Sequence, residues 1–250
     1  MAKKKAPTKS PSKNSVKGKF SFKTITSFLG KWILRIIIFF FVSTIATTLL
    51  YKYVPIPITP LMVIRVGEQL KKGKQIKLKK DWTSIDETGP MPLAVIAAED
   101  SKFMDHIGFD FDAINKAVKY NKTHKKTKGA STISQQTAKN VFLWPGRTWI
   151  RKGLEVYFTL LIEIMWSKER ILEVYLNVVE MGDGIYGAEA ASQYYFKKPA
   201  QKLSRFEAAK IAAILPNPIQ WSVKKPSAFV SKKQAWIRKN MDFVTEIDFE

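Results

Sequence analysis

The chain has 250 residues, of which 46% are hydrophobic, enough for one or two packed domains. It contains no Cys and only two His, His106 and His124, which excludes disulfides, thiolate catalysis, Cys-ligated zinc and a His-rich metal site. The formal net charge is +21, and the first 35 residues hold ten of the positive charges and no acid, so about +11 belongs to the rest of the chain.

Residues 1–31 are rich in Lys, Ser and Pro, lack apolar periodicity and read as a disordered polybasic segment. Residues 32–54, from Trp32 to Val54, are apolar apart from Arg35, Lys52 and a few hydroxyls. That length spans a bilayer if the two cations snorkel to its faces. A core helix or a cleaved signal peptide fits the long apolar run and its basic flank less well. The basic residues before the span place the N-terminus in the cytoplasm and residues 55–250 outside a bacterial cytoplasmic membrane, as a single-pass protein. Anionic membrane lipid, rather than nucleic acid, suits a basic tail beside a span.

Pro55, Pro57 and Pro60 make a stiff exit, and Ile58 to Arg65 reads as a short strand. The rest is mostly helical. Pro92 opens a helix through LAVIAAED, with Glu99 and Asp100 at its C-terminal end, where the helix dipole disfavours an ionised carboxylate. Further helices are predicted over Phe111 to Tyr120, Ile133 to Val141, Thr148 to Trp166 and, capped by Ser167, to about Glu180. Ser131 could simply N-cap the Ile133 helix, an alternative to a role at the site. Ser204-x-x-Glu207 is a capping box opening a helix that stops at Pro216. The predicted fold class is mainly α.

Between Asp112 and Glu155 lie ten Lys or Arg and no acid. A segment so one-signed repels itself without an anionic partner, and phosphate groups fit that need. Glu99 then reads as a base beside a phosphate cradle. Two local matches are decoys. Gly182-Asp-Gly-Ile-Tyr-Gly187 fits a dinucleotide fingerprint but follows a helical pattern, so it reads as a turn between helices. Ser10-x-x-Lys13 and Ser222-x-x-Lys225 lack the S-D-N and K-T-G partners of acyl transfer.

Five segments occur in fixed order: AVIAAEDSKFMDHIGFD (94–110), GASTISQQTAKNVFL (129–143), RKGLE (151–155), SKERILEVYLN (167–177) and AAILPNP (212–218). Together they resemble the monofunctional biosynthetic peptidoglycan glycosyltransferases. The resemblance implies a lysozyme-like, two-lobed domain held by one transmembrane helix, and a reaction that joins the C1 of a lipid-pyrophosphate-linked glycan to the GlcNAc 4-hydroxyl of lipid II with inversion. It implies no cross-linking activity and no organic cofactor, and it allows a divalent cation, Mg2+ or Mn2+, at the pyrophosphate. Other cell-wall synthesis and division proteins are its implied partners. By the same resemblance Glu99 is the general base, Glu155 the second carboxylate, and Lys139 and Arg147 the pyrophosphate contacts, with Arg151 and Lys152 beside them. Ser131, Gln135 and Gln136 line the donor side, and Asp100 positions or tunes Glu99. Lys116 stands where many relatives carry Arg, which keeps charge but loses the bidentate fork.

Three alternatives stay open on the residues alone. A muramidase or lytic transglycosylase also needs paired carboxylates, though it has no pyrophosphate charge for ten cations to stabilise. Glu155 could be a surface helix ion pair with Arg151 and Lys152. Phe142, Leu143 and Trp144 fit either core packing or the membrane interface.

Overall fold

The computed structural model describes residues 22–124, 127–146 and 148–244. The chain divides into two compact units at Ile45 and Ala46. Helix α1, Phe22–Tyr53, runs through that division. Within its stretch Phe28–Tyr53, an 18-residue window has a mean hydropathy of 2.3 and is only 6% buried. At 1.5 Å per residue those 26 residues reach about 39 Å, ample for a hydrocarbon core of about 30 Å. The helix begins ten residues before the predicted Trp32, inside the segment read as disordered. Once the apolar stretch has nucleated a helix, adding residues at its N-terminal end costs little. The rest of that segment, residues 1–21, lies outside the described residues.

The second unit, from Ala46 onward, is built of short helices and one small sheet. The predicted strand at Ile58 to Arg65 is instead the start of α2, Pro60–Lys71. Its β-branched residues suggested a strand. Thr59 overrides them: its side chain accepts a hydrogen bond from the Met62 N–H, with Pro60 at the first helical position. The remaining helices are α3 (Met91–Glu99), α4 (Phe111–Thr123), α5 (Ile133–Phe142), α6 (Trp149–Met165), α7 (Lys168–Val178), α8 (Ala188–Phe196), α9 (Arg205–Ile214) and α10 (Ala228–Asn240). Thr132, Thr148, Ser167, Ser204 and Ser227 cap α5, α6, α7, α9 and α10. Each such cap contributes about 1 kcal/mol. The cap of α5 is therefore Thr132 and not Ser131, because it is Thr132 whose hydroxyl reaches the N–H of Gln135.

Two groups of helices make the core. In one, α5, α6 and α7 pack together, with Ile133, Phe158, Ile162, Ile171, Leu172, Tyr175 and Leu176 almost fully enclosed. In the other, α3 packs on α9 and α10 through Ala94, Ala97, Ala208, Ala209 and Ala212, small side chains that let the backbones approach closely. Contacts between α3 and α7 join the groups. Each buried Ile or Leu contributes about 1.5–3 kcal/mol of transfer free energy. Phe142 stacks on Phe158 with ring centroids 4.4 Å apart and Leu143 is buried, so of the three residues offered to the membrane interface only Trp144 is exposed.

The C-terminal turn of α1 belongs to this unit and is fastened to it. The indole N–H of Trp166 donates to the Thr48 carbonyl at 2.8 Å, and the Arg170 guanidinium donates to the carbonyls of Tyr51 and Val54. The Tyr51 carbonyl is among the last four of α1, which a helix end leaves without intrahelical partners. Arg170 also pairs with Glu173 and lies over the Trp82 ring.

A three-stranded sheet closes the far side: β1 (Lys79–Lys80) is parallel to β3 (Ile185–Tyr186), which is antiparallel to β2 (Glu180–Gly182). The glycine-rich decoy is thus a β-hairpin rather than a turn between helices. Gly184 has φ +72°, and a Cβ there would land on the Lys77 carbonyl. We predict that Gly184→Ala lowers stability by about 2 kcal/mol or more, from left-handed strain plus overlap. Gly67, inside α2 with open space around it, should instead gain up to about 1 kcal/mol on conversion to Ala. Thermal unfolding of the two variants against the parent checks both signs.

Candidate active site

The site begins where α3 stops. Glu99 is the last residue of α3, and Asp100, with ψ 75°, turns the chain out of the helix. The buried Asp100 carboxylate accepts from the backbone N–H of Ile133 at 3.0 Å and faces His106 Nε2 at 3.0 Å. The Thr132 hydroxyl donates to the Gly108 carbonyl at 2.7 Å. Both bonds tie the first turn of α5 to the loop that follows α3. The helical repeat of α5 does the rest: one turn along, Gln136 Nε2 donates to Glu99 Oε2 at 3.1 Å, and Lys139 follows three residues later. From α7 the Tyr175 hydroxyl reaches Gln136 Oε1 at 3.4 Å. Burial, with Glu99 and Asp100 nearby, holds that phenol well above the usual tyrosine range.

A cleft of about 460 Å³ opens beside these residues. Its polar lining is Ser131, Gln135, Gln136, Lys139, Asn140, Arg151, Lys152 and Glu155, with Leu61, Leu143 and Trp144 among its apolar walls. Freed from the capping role by Thr132, Ser131 lies at this opening. Gln135 lines it too, although its Oε1 is engaged by the Thr132 N–H in the capping box. Glu155 is 3% exposed, which removes the surface ion-pair reading. Arg151 donates to its Oε2 at 2.6 Å and Lys152 binds its other oxygen. Burial pulls the Lys139 ammonium below the usual lysine range, and Arg151 and Lys152 lower it further against the opposing pull of Glu155 and Glu99.

Three cations therefore face one carboxylate, leaving an excess of positive charge in a partly dehydrated cleft. Among the described residues the buried Nε of Arg151 has no hydrogen-bond partner. Arg151 lines the cleft beside Lys139 and Lys152, where the surplus positive charge suits an anionic ligand. Among the described residues no group of three His, Asp or Glu side chains is assembled for a metal. A larger groove of about 1010 Å³ between α9 and α10 also carries cations, Arg205, Lys210, Arg238 and Lys239, but its one carboxylate, Asp242, is exposed and paired with Arg205 at 2.5 Å, so no buried carboxylate stands in it.

The structure thus brings together Glu99, Gln136, Lys139, Arg151, Lys152, Glu155, Ser131 and Gln135, with Asp100 behind them as the joint. Lys116 does not join: it lies on the exposed side of α4 and does not line the cleft. Arg147, and the loop residues Lys125 and Lys126, lie outside the described residues. One residue was missed. Lys233 of α10 places Nζ 3.6 Å from Glu99 Oε1. In the structure the enclosed positions Val230, Gln234 and Ile237 define one face of α10, and Lys233 stands on it. Beside Lys232 it reads as an ordinary surface cation.

Residues 67–242 match the transglycosylase family profile. The chain belongs to the transglycosylase family. Curated relatives of this transglycosylase include proteins named biosynthetic peptidoglycan transglycosylase from three bacteria. That of Bdellovibrio bacteriovorus is 56% identical over 207 residues, 82% of this chain and 83% of its own. The protein from Bacteroides thetaiotaomicron is 55% identical over 211 residues, 84% and 85% of the two chains. The relative in Haemophilus influenzae is 52% identical over 210 residues, 83% and 85% of the two chains.

Because burial lowers the folded-state pKa of Lys139 below its unfolded value, stability rises with pH through the window between the two values. Below that window the cost of burying the charged form is fully present. Lys139→Met should accordingly melt at or above the parent temperature at pH 7. Glu155→Gln, which leaves buried Arg151 without its counter-charge, should cost about 3 kcal/mol. Thermal scans at pH 7 separate these outcomes.

Proposed function

We propose that this transglycosylase is a peptidoglycan glycosyltransferase that builds glycan strands, moving a lipid-pyrophosphate-linked glycan onto the GlcNAc 4-hydroxyl of lipid II with inversion. The observation that carries this reading is the cleft in which Lys139, Arg151 and Lys152 surround a single buried carboxylate. The biosynthetic names of the relatives support polymerisation over the muramidase or lytic alternative. So does the charge of the cleft, since neutral glycan cleavage develops no pyrophosphate anion.

In this reaction Glu99 accepts the proton of the 4-hydroxyl as that oxygen attacks C1 of the donor. The C1–oxygen bond to pyrophosphate breaks, and its electron pair leaves with the phosphate. Lys139, Arg151 and Lys152 stabilise the charge that grows there, which is where preorganised cations lower a barrier most. Glu155 holds Arg151 and Lys152 in place. Gln136 aims Glu99 by binding its Oε2. The carboxylate of Glu155 is already taken up by two cations, so these side chains fit a pyrophosphate better than a protein-held Mg2+ or Mn2+, and no step is routed through a metal. Helix α1 anchors the enzyme, with its basic side cytoplasmic, the catalytic unit outside and anionic lipid along the polybasic flank. Proteins of cell-wall synthesis and division are the partners this reading implies.

Glu99→Gln should reduce turnover of lipid II about a hundredfold or more while substrate still binds. Near-normal polymerisation by that variant would refute Glu99 as the base. Lys139→Ala should lower kcat rather than raise KM alone, because its partner charge is largest in the transition state. For topology, protease added to intact spheroplasts should digest the region after Tyr53. Its full protection would mean the opposite orientation.

A further inference from the structure

Glu99 stands beside other negative charge. It ends α3, where the negative pole of the helix dipole lies, and the next residue, Asp100, is a second buried carboxylate. A general base must be ionised before it can accept a proton, so something has to offset these effects. The groups facing Glu99 can be taken element by element. On its own helix there is Asp100, engaged by His106. From α5 come Gln136, which is neutral, and the more distant Lys139, whose field Glu99 shares with Glu155. From α7 comes the Tyr175 phenol, held neutral by burial. Helix α9 meets α3 through alanines, and its Lys210 lines the groove on the other side. Asp86 and Glu87, in the turn before α3, are exposed to solvent. The cation nearest the carboxylate is Lys233 of α10.

We propose that Lys233 is a positioning residue for the general base, its ammonium holding Oε1 of Glu99 ionised and aimed while Gln136 holds Oε2. This rests on the reading of Glu99 as the base. At 3.6 Å, with the two side chains 18% and 15% exposed, the contact is an ion pair rather than a direct hydrogen bond. It acts through charge and leaves the carboxylate lone pairs free for the acceptor hydroxyl. Lys233 is on the core-facing side of α10, between Val230 and Ile237. A helix that needed only to pack would carry an apolar side chain there, because burying an ammonium costs free energy. Burial does pull Lys233 below the usual lysine range, and Glu99 is what pushes it back. The same charge favours loss of the proton that Glu99 has accepted, returning the base to its working form for the next sugar.

The test is the pH profile of kcat for lipid II polymerisation by the full chain, for the parent, Lys233→Met, Lys233→Arg and Glu99→Gln. Lys233→Met should lose about tenfold or more in kcat at neutral pH with little change in KM. Its acid limb should move up by about one pH unit or more, so that part of the loss is recovered in alkali. Lys233→Arg should keep the limb near the parent position and restore most of the rate. A parent-like profile for Lys233→Met overturns the proposal. A loss of equal size at every pH, which is what damaged packing produces, also overturns it. So does a change confined to KM, the mark of a substrate contact. Lys233→Gln, smaller and neutral, repeats the measurement if the Met variant does not fold. Glu99→Gln separates the two ideas: if it is inactive while Lys233→Met is unchanged, only the role of Lys233 falls, and if it is active the base assignment falls with it.

Discussion

The hydrogen bond from the Ile133 N–H to the Asp100 carboxylate is the joint on which the catalytic geometry depends. It connects the end of α3 to the start of α5, two elements 33 residues apart in the chain. Once that joint is made, the helical repeat of α5 carries Gln136 to Glu99 and Lys139 to the cleft, where α6 brings Arg151, Lys152 and Glu155. His106 and Thr132 reinforce the joint from either side. Glu163 secures α5 again by accepting from Ser134 at 2.5 Å and pairing with Lys168 at 2.8 Å. The base is therefore set on rigid elements rather than on a loop, as a reaction sensitive to small misplacements requires.

Electrostatics divides the site into two halves of opposite need. Around Glu155 cations exceed anions, and the surplus is useful only when a strongly anionic group enters. Around Glu99 and Asp100 the anions crowd, and Lys233 restores the balance. Folding alone favours neither arrangement: a partly buried Lys139 held among other cations costs stability. Such local costs are characteristic of sites selected for chemistry, where charge must be in place before the transition state forms.

The anchor is joined to this unit by the same kind of economy. A helix end leaves its last carbonyls in need of water or capping partners; Arg170 supplies one for Tyr51 of α1, and Trp166 adds a bond to the Thr48 carbonyl further back in the helix. Helix α7, which carries Arg170 near its start, also carries Tyr175, which touches Gln136. One helix thus contacts both the end of the anchor and the residue that aims the base.

What the sequence by itself determined were the features written in local chemistry. Apolar length marked α1, caps and proline marked α3, α7 and α9, and the acid-free run of cations marked the anionic partner. Local chemistry failed where a neighbour outweighed it. The β-branched stretch after Ile58 became helical because Thr59 caps it and Pro60 starts it. Ser131 lost the capping role to Thr132, and the hairpin at Gly184 exists because the Lys77 backbone packs against it. Only tertiary structure could decide which charges meet. Lys116 and Lys139 are alike as residues on predicted helices, yet one faces solvent and the other the cleft, since only the face of α5 is turned toward Glu155. Lys233 is 134 residues from Glu99 in the chain, and nothing in its immediate sequence distinguishes it from Lys232. Their contact arises from α10 packing on α3, a long-range arrangement that leaves its energetic mark in space and not in the order of residues.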